Sequence, residues 1–280
     1  MEIMKNSSIL VNKEKIENIA IGGFDGMHIA HQELFKHLGD KGAIVCIETG
    51  YANLTPKINR QEYINLPIYY YVLENIKKLE GDEFIKLLKE EFINLKKIVV
   101  GFDFAFGKNR KYSINDLKNL FTGEVVVVPE ISLDGFPIHS RHIREFLKDA
   151  NIKMANAFLG KNYKIYGNIV SGQGLGKSDF VATINLKVKD FLIPKDGVYI
   201  TKTNIDENSY NSISFIGNRK TTDNIFAIET HILEDFKEAI NPKISIEFID
   251  FIRENRKFDN FLELKNQILK DIDIAKKYFY

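Results

Sequence analysis

The feature that most constrains this sequence is a change in hydrophobic period partway along it. As far as about Gly160, short apolar runs alternate with longer stretches whose apolar residues recur at helical spacing. The runs are Ile19-Ala20-Ile21, residues 43–47, Ile98-Val99-Val100 and residues 125–128. The helical patterns cover residues 29–38, 63–79, 83–95 and 114–121. Strands alternating with helices predict a parallel sheet with helices on its faces. Pro67 interrupts the second helical pattern and is expected to kink or split it. After Gly160 come short segments rich in Ile, Val, Thr, Phe and Tyr: residues 165–170, 183–188, 198–203, 212–216, 227–233 and 244–251. Frequent Gly, Asn and Asp between them predict a small barrel or sandwich. Residues 261–278 return to helical spacing. The shift near Lys161 predicts two domains, 1–160 and 161–280.

A chain of 280 residues accommodates two ordinary domains. Its 39 basic and 38 acidic residues leave a formal net charge of +1, no global field for nucleic acid or an anionic membrane. No stretch approaches the roughly 20 apolar residues that span a bilayer, and the first eleven residues are too short and polar for a secretory signal. The single cysteine, Cys46, excludes an intrachain disulfide and reads as a buried, inert thiol within an apolar run. These features predict a cytoplasmic protein with no nucleic-acid, membrane or obligatory protein partner.

The run Gly22-Gly23-Phe24-Asp25-Gly26-Met27-His28-Ile29-Ala30-His31 joins a strand to a helix. Open parallel sheets bind ligands at the carboxyl ends of their strands. Small residues there let phosphate oxygens approach the backbone, and free N–H groups at a helix start favour anions. His28 and His31, three apart, share a helix face and can stabilise charge developing on phosphorus. A glycine turn with solvated histidines, or half of a zinc site, are the other readings; no further closely spaced ligand supports zinc.

This run resembles the G-x-F-D-G-x-H-x-G-H signature of the adenylyltransferase half of prokaryotic bifunctional riboflavin kinase/FAD synthetases, with Ala30 in place of a glycine. Residues 99–108, Val-Val-Gly-Phe-Asp-Phe-Ala-Phe-Gly-Lys, resemble the family's V-G-x-D-F-x-F-G. The resemblance implies flavin contacts for Asp103, Phe104 and Phe106, although aromatic core packing suits both phenylalanines too. His139-Ser140-Arg141-His142-Ile143-Arg144 is similar to S-S-T-x-I-R, implying phosphate contacts for Ser140 and Arg144. The family's T-F-x-P-H-P turn after the second strand is replaced by Cys46-Ile47-Glu48-Thr49-Gly50-Tyr51. For this half the resemblance implies ATP binding by Gly22, Phe24, Asp25 and Gly26, with His28 and His31 catalytic; Asp25 orders the loop or a magnesium ion.

In the second half, Gly172-Gln173-Gly174-Leu175-Gly176-Lys177 is a glycine-rich loop after a strand, a pattern that most often marks a plain turn. Thr183 and Asn185 alternate onto one strand face, and their hard oxygens suit Mg²⁺. The ordered set resembles the riboflavin kinase pattern G-x-V-x-x-G-x-x-L-G-R…P-T-A-N. Ile216-Gly217-Asn218-Arg219-Lys220-Thr221 is similar to I-G-x-R-P-T, and Glu229 in Glu229-Thr230-His231-Ile232-Leu233 matches the catalytic glutamate of E-x-H-x-L. A kinase acting on a primary alcohol needs such a carboxylate to orient the hydroxyl and accept its proton. Phe248, Phe251, Arg253, Lys257 and Phe258 resemble F-x-x-F-L-R…K-F. By resemblance, Gly172, Gly176 and Lys177 bind ATP, Thr183 and Asn185 hold the metal, and Phe251 and Arg253 meet flavin. The terminal helix, with Leu264, Ile268 and Asp271, packs the barrel closed.

The family resemblance implies a Rossmann-like α/β nucleotidyltransferase domain followed by a six-stranded all-β riboflavin kinase barrel with a C-terminal helix. It implies ATP as co-substrate, Mg²⁺ as cofactor, and riboflavin, FMN and FAD as substrates and products. Two alternatives are a riboflavin kinase with a degenerate first domain and a non-catalytic flavin-binding regulator.

Overall fold

The computed structural model describes residues 12–171, 181–236 and 242–280. The chain divides into two compact units, Met1–Ser140 and Arg141–Tyr280.

In chain order the first unit comprises β1 (Asn18–Gly22), α1 (Ile29–Phe35), β2 (Gly42–Glu48), β3 (Ile68–Val72), α2 (Leu73–Ile76), α3 (Gly81–Glu91), β4 (Lys97–Gly101), α4 (Ile114–Leu120), β5 (Glu124–Val128), β6 (Ser132–Leu133) and β7 (Phe136–Pro137). The five longer strands form one parallel sheet in the order β3-β2-β1-β4-β5. Its strands read as continuous apolar runs because both faces are buried. Ile19, Ile21, Ala43, Val45, Ile98 and Val100 face a core closed by Phe84, Ile85 and Leu88 of α3 and Leu117 of α4. The alternate residues Ala20, Ile44, Cys46 and Val99 face a second core closed by Leu34 and Phe35 of α1.

The expected helix over residues 63–79 is instead β3 followed by the four-residue α2. Ile68 and Tyr70 enter one core and Tyr71 the other, the period of two that a strand demands. Pro67 supplies the entry to β3, its carbonyl accepting from the Ile44 N–H at 2.9 Å.

The second unit carries most of α5 (Ser140–Lys148), then α6 (Ile152–Leu159), β8 (Tyr163–Val170), β9 (Ile184–Val188), β10 (Gly197–Ile205), β11 (Asn208–Asn218), β12 (Phe226–Ile232), β13 (Lys243–Glu254) and α7 (Phe261–Phe279). The six strands close an antiparallel barrel in the order β10-β11-β12-β9-β8-β13. Composition shifts near Lys161, but the packing division falls earlier because α5 and α6 are tied to barrel residues. Asn156 donates to the Phe248 carbonyl and accepts from the Tyr163 N–H, both at 2.8 Å, and the Lys195 N–H donates to Leu147 O at 3.0 Å.

Hydroxyls occupy much of the barrel interior. Thr201 and Thr203 of β10, Ser212 and Ser214 of β11, and Thr230 of β12 are buried and joined by hydrogen bonds of 2.8–3.0 Å. A buried hydroxyl costs little when it finds such a partner. The alternate residues Val198, Ile200 and Ile213 point outward against Ile272 and Ala275 of α7. The terminal helix therefore covers an outer face, while the strand ladder itself closes the barrel.

Candidate active sites

In the first sheet β1 is central; the chain builds outward through β2 and β3, then returns to place β4 on the other side of β1. The order thus reverses between β1 and β4, where open α/β sheets bind ligands. The turns leaving these two strands are the two motif-bearing segments of this half.

The turn after β1 is built from unusual backbone. Phe24, Gly26 and Met27 have φ of 48°, 88° and 46°, a left-handed region costly for residues with a Cβ. Phe24 and Met27 are anchored in the second core, which holds them there. Gly22 must lack a side chain because a Cβ would lie 2.9 Å from the Phe24 ring, whereas Gly23 borders open space apart from Ile47 O at 3.9 Å.

Three backbone N–H groups, of Asn53, Leu54 and Thr55, donate to the buried Asp25 carboxylate at 2.9–3.3 Å. The Gly26 N–H returns a bond to the Thr55 hydroxyl at 2.7 Å, and the Ser140 hydroxyl donates to the Asp25 carbonyl at 2.7 Å. Asp25 and Ser140 thus order the turn in this structure. Beneath it lies the fully buried Arg60. Its Nε donates to the Phe24 carbonyl at 3.2 Å and its Nη1 pairs with the Glu48 carboxylate. Cys46 is also enclosed there, its thiol pushed up to about 12 by burial, as an inert sulfur requires.

His28 caps the start of α1 and His31 follows on its first turn. Their rings stack with centroids 3.5 Å apart, and the Phe24 ring meets His31 edge-on at 5.2 Å. The sequence spacing therefore becomes a paired imidazole platform on the turn. After β4, Asp103 and Phe102 are exposed, while Phe104 stacks on the buried Phe106 at 5.6 Å. Phe106 packs on Phe84 and Tyr112 in the first core, so it serves as an anchor for that loop. Arg144 lies on α5 four residues after Ser140.

In the barrel, Glu229 on β12 stands directly across from Asn185 on β9. Residues opposed in an antiparallel ladder project to one face, so the carboxylate and the amide share a side of the sheet. Thr183 immediately precedes β9 and is exposed. The Arg219 Nη1 donates to Glu229 Oε1 at 3.2 Å, while its Nε and Nη2 grip Asp223 at 3.1 and 2.8 Å. Burial raises the Glu229 pKa against the opposing pull of Arg219, the direction that suits a proton acceptor. His231, two residues along β12, has its Nδ1 2.8 Å from the Ala182 carbonyl, and burial lowers its pKa.

Phe251 packs edge-on against Tyr199 at 5.2 Å. Arg253 forms a bidentate ion pair with the buried Asp271 of α7 at 2.6–3.0 Å. Gly172, Gly176 and Lys177 lie outside the described residues. Among the described residues no group of three or more His, Cys, Asp or Glu is arranged to hold a metal ion. The oxygens of Thr183 and Asn185 are uncharged hard donors; they fit Mg²⁺ that brings phosphate ligands with it.

Sequence reasoning missed Arg60, Glu48, the 53–55 amides and the Arg219 partnership. Arg219 alone carried a signal, as part of its glycine-containing motif.

The riboflavin kinase family model (Flavokinase) matches residues 159–279, and the FAD synthetase model (FAD_syn) matches residues 53–142. Curated relatives align along nearly the full length. The bifunctional riboflavin kinase/FMN adenylyltransferase of Bacillus subtilis (strain 168) is 28% identical, over 96% of this chain and 95% of its own. Its namesake from Buchnera aphidicola subsp. Acyrthosiphon pisum (strain APS) is 29% identical, over 93% of each. A crystal structure described as a macrolide-efflux protein from Streptococcus pneumoniae superposes with a TM-score of 0.83 at 25% identity, covering 99% of this chain and 97% of that one. Among the described residues no helix is long and apolar enough to cross a membrane. Both domain models match in order along one chain, with relatives aligned beside them over nearly the whole length, so from end to end the chain is similar to the bifunctional riboflavin kinase/FMN adenylyltransferases.

Proposed function

We propose that the chain phosphorylates riboflavin to FMN with Glu229 as base and adenylylates FMN to FAD on the turn bearing His28 and His31. The observation that carries this reading is the cross-strand placement of Glu229 against Asn185, with Arg219 holding the carboxylate. We assign adenylyl transfer to residues 1–160 and kinase activity to residues 161–280, both in the cytoplasm.

In the first reaction Glu229 orients the riboflavin 5′-hydroxyl and takes its proton as the oxygen bonds to the γ-phosphorus of ATP; ADP leaves. Thr183 and Asn185 would hold Mg²⁺, which when bound neutralises phosphate charge, and Gly172, Gly176 and Lys177, outside the described residues, are assigned to ATP binding. In the second reaction an FMN phosphate oxygen bonds to the α-phosphorus of another ATP and pyrophosphate leaves. That nucleophile is already an anion, so the protein supplies position and charge stabilisation more than a base. His28 and His31 donate to the phosphates. Gly22, Phe24, Asp25, Gly26 and Ser140 keep the turn in shape, a role supported by the bonds of Asp25 and Ser140 within it. For the flavin we assign Asp103, Phe104 and Phe106 in the first half and Phe251 and Arg253 in the second. Phe106 also packs the first core and Arg253 also pairs with the buried Asp271, so substituting them costs stability as well as flavin binding.

Two variants test the assignment. Glu229→Gln should abolish FMN formation and spare FAD synthesis from supplied FMN; His28→Ala with His31→Ala should do the reverse. Loss of both activities in either folded variant would refute the separation into two sites.

A further inference from the structure

The ladder between β12 and β9 pairs Glu229 with Asn185 and Thr230 with Ile184. Continued by one step, it would bring His231 opposite Thr183, but Thr183 lies before β9 begins. A side chain takes over at that point: His231 Nδ1 is 2.8 Å from the Ala182 carbonyl. A carbonyl only accepts, so Nδ1 carries the proton and the imidazole is the donor. His231 is two residues from Glu229 on β12, so both project to the same face. Thr230 between them points into the barrel, where its hydroxyl is bonded to Thr203 at 2.8 Å and Ser214 at 3.0 Å. The strand that carries the base is thus locked from inside, and on its outer face it grips the residue preceding Thr183.

We propose that His231 is a positioning residue that fixes residues 182–185 beside Glu229 and so sets the affinity of the kinase half for the magnesium complex of ATP. The inference rests on the reading of Glu229, Thr183 and Asn185 given above. An imidazole that only packed against its neighbours would leave nucleotide affinity untouched when removed. A clamp on the metal-binding segment should shift MgATP affinity while leaving riboflavin affinity alone.

The test uses the full chain with riboflavin and MgATP varied in turn, and FAD synthesis from supplied FMN as the measure that the protein is folded. Loss of one hydrogen bond corresponds to a change of about fivefold. His231→Ala should therefore raise the KM for MgATP about fivefold, with the riboflavin KM and FAD synthesis unchanged. His231→Gln, which keeps an N–H donor, should recover most of that loss, and it carries the test if the alanine variant does not fold. A KM for MgATP within twofold of the parent in His231→Ala would overturn the proposal, as would equal increases in both KM values. Equal damage in His231→Gln and His231→Ala would also overturn it. Glu229→Gln run alongside separates the two levels. If it is inactive while His231→Ala keeps its MgATP affinity, only the positioning role fails; if it still phosphorylates riboflavin at the parent rate, the site reading fails and the proposal falls with it.

Discussion

Replacing Arg60 by methionine is the sharpest structural perturbation of the first unit. The guanidinium is fully buried, paired with Glu48 and donating to the carbonyl of Phe24, itself held at φ 48°. Methionine fills similar space but leaves the Glu48 carboxylate without this partner and the Phe24 carbonyl without this donor. Breaking a buried ion pair by removing one member costs about 3–5 kcal/mol. The Glu48 side chain keeps 18% exposure, so water recovers part of the loss and the lower end, about 3 kcal/mol, applies. In a unit the size of Met1–Ser140 that corresponds to a melting transition lowered by about 10 °C. Scanning calorimetry of the full chain should show one transition falling by that amount. The double variant Glu48→Gln with Arg60→Met should regain most of it, because neutralising both partners removes the stranded charge. A single variant within about 0.5 kcal/mol of the parent, the range of ordinary surface substitutions, would refute this reasoning. So would a double variant as damaged as the single.

Ser140→Ala removes the donor to the Asp25 carbonyl, worth about 1 kcal/mol; FAD synthesis from FMN should slow several-fold while FMN formation from riboflavin holds, by steady-state assay of each step. Asp271→Asn leaves Arg253 without its charged partner under α7 and should cost about 3 kcal/mol in urea unfolding followed by circular dichroism. Burial holds the Glu229 pKa above its ordinary 4.5, so FMN formation should fall as pH drops through that raised value, a limb that Glu229→Gln cannot show. The same shift makes ionised Glu229 a cost to folding above its folded pKa. Glu229→Gln should therefore melt higher than the parent at pH 7, and the gain should vanish below the ordinary pKa.

The parallel sheet was legible because strands buried on both faces have nowhere to place a polar residue, and residues 43–47 and 98–100 announce themselves. β3 was not, since Ile68 to Val72 joins a helical pattern on either side and only its sharing between two cores reveals a strand. The barrel strands were legible, but barrel or sandwich stayed open. Thr201, Thr203, Ser212, Ser214 and Thr230 are of residue types that are mostly exposed, and only three-dimensional pairing makes them interior ones. The histidine pair and Glu229 were found through local motifs. The groups that hold those motifs in place act over distance: Asp25 reaches residues 28–30 positions away and Ser140 reaches back 115. No local period encodes such bonds, and a buried Arg60 looks in sequence like any solvated arginine.

The central claim is that one chain carries two ATP-dependent transfers in succession. Incubation of the purified chain with riboflavin, ATP and Mg²⁺, followed by chromatographic separation of the flavins, tests it directly. The account predicts that FMN appears first and is then converted to FAD with release of pyrophosphate. FMN accumulating without any FAD, or riboflavin remaining unchanged, would contradict it.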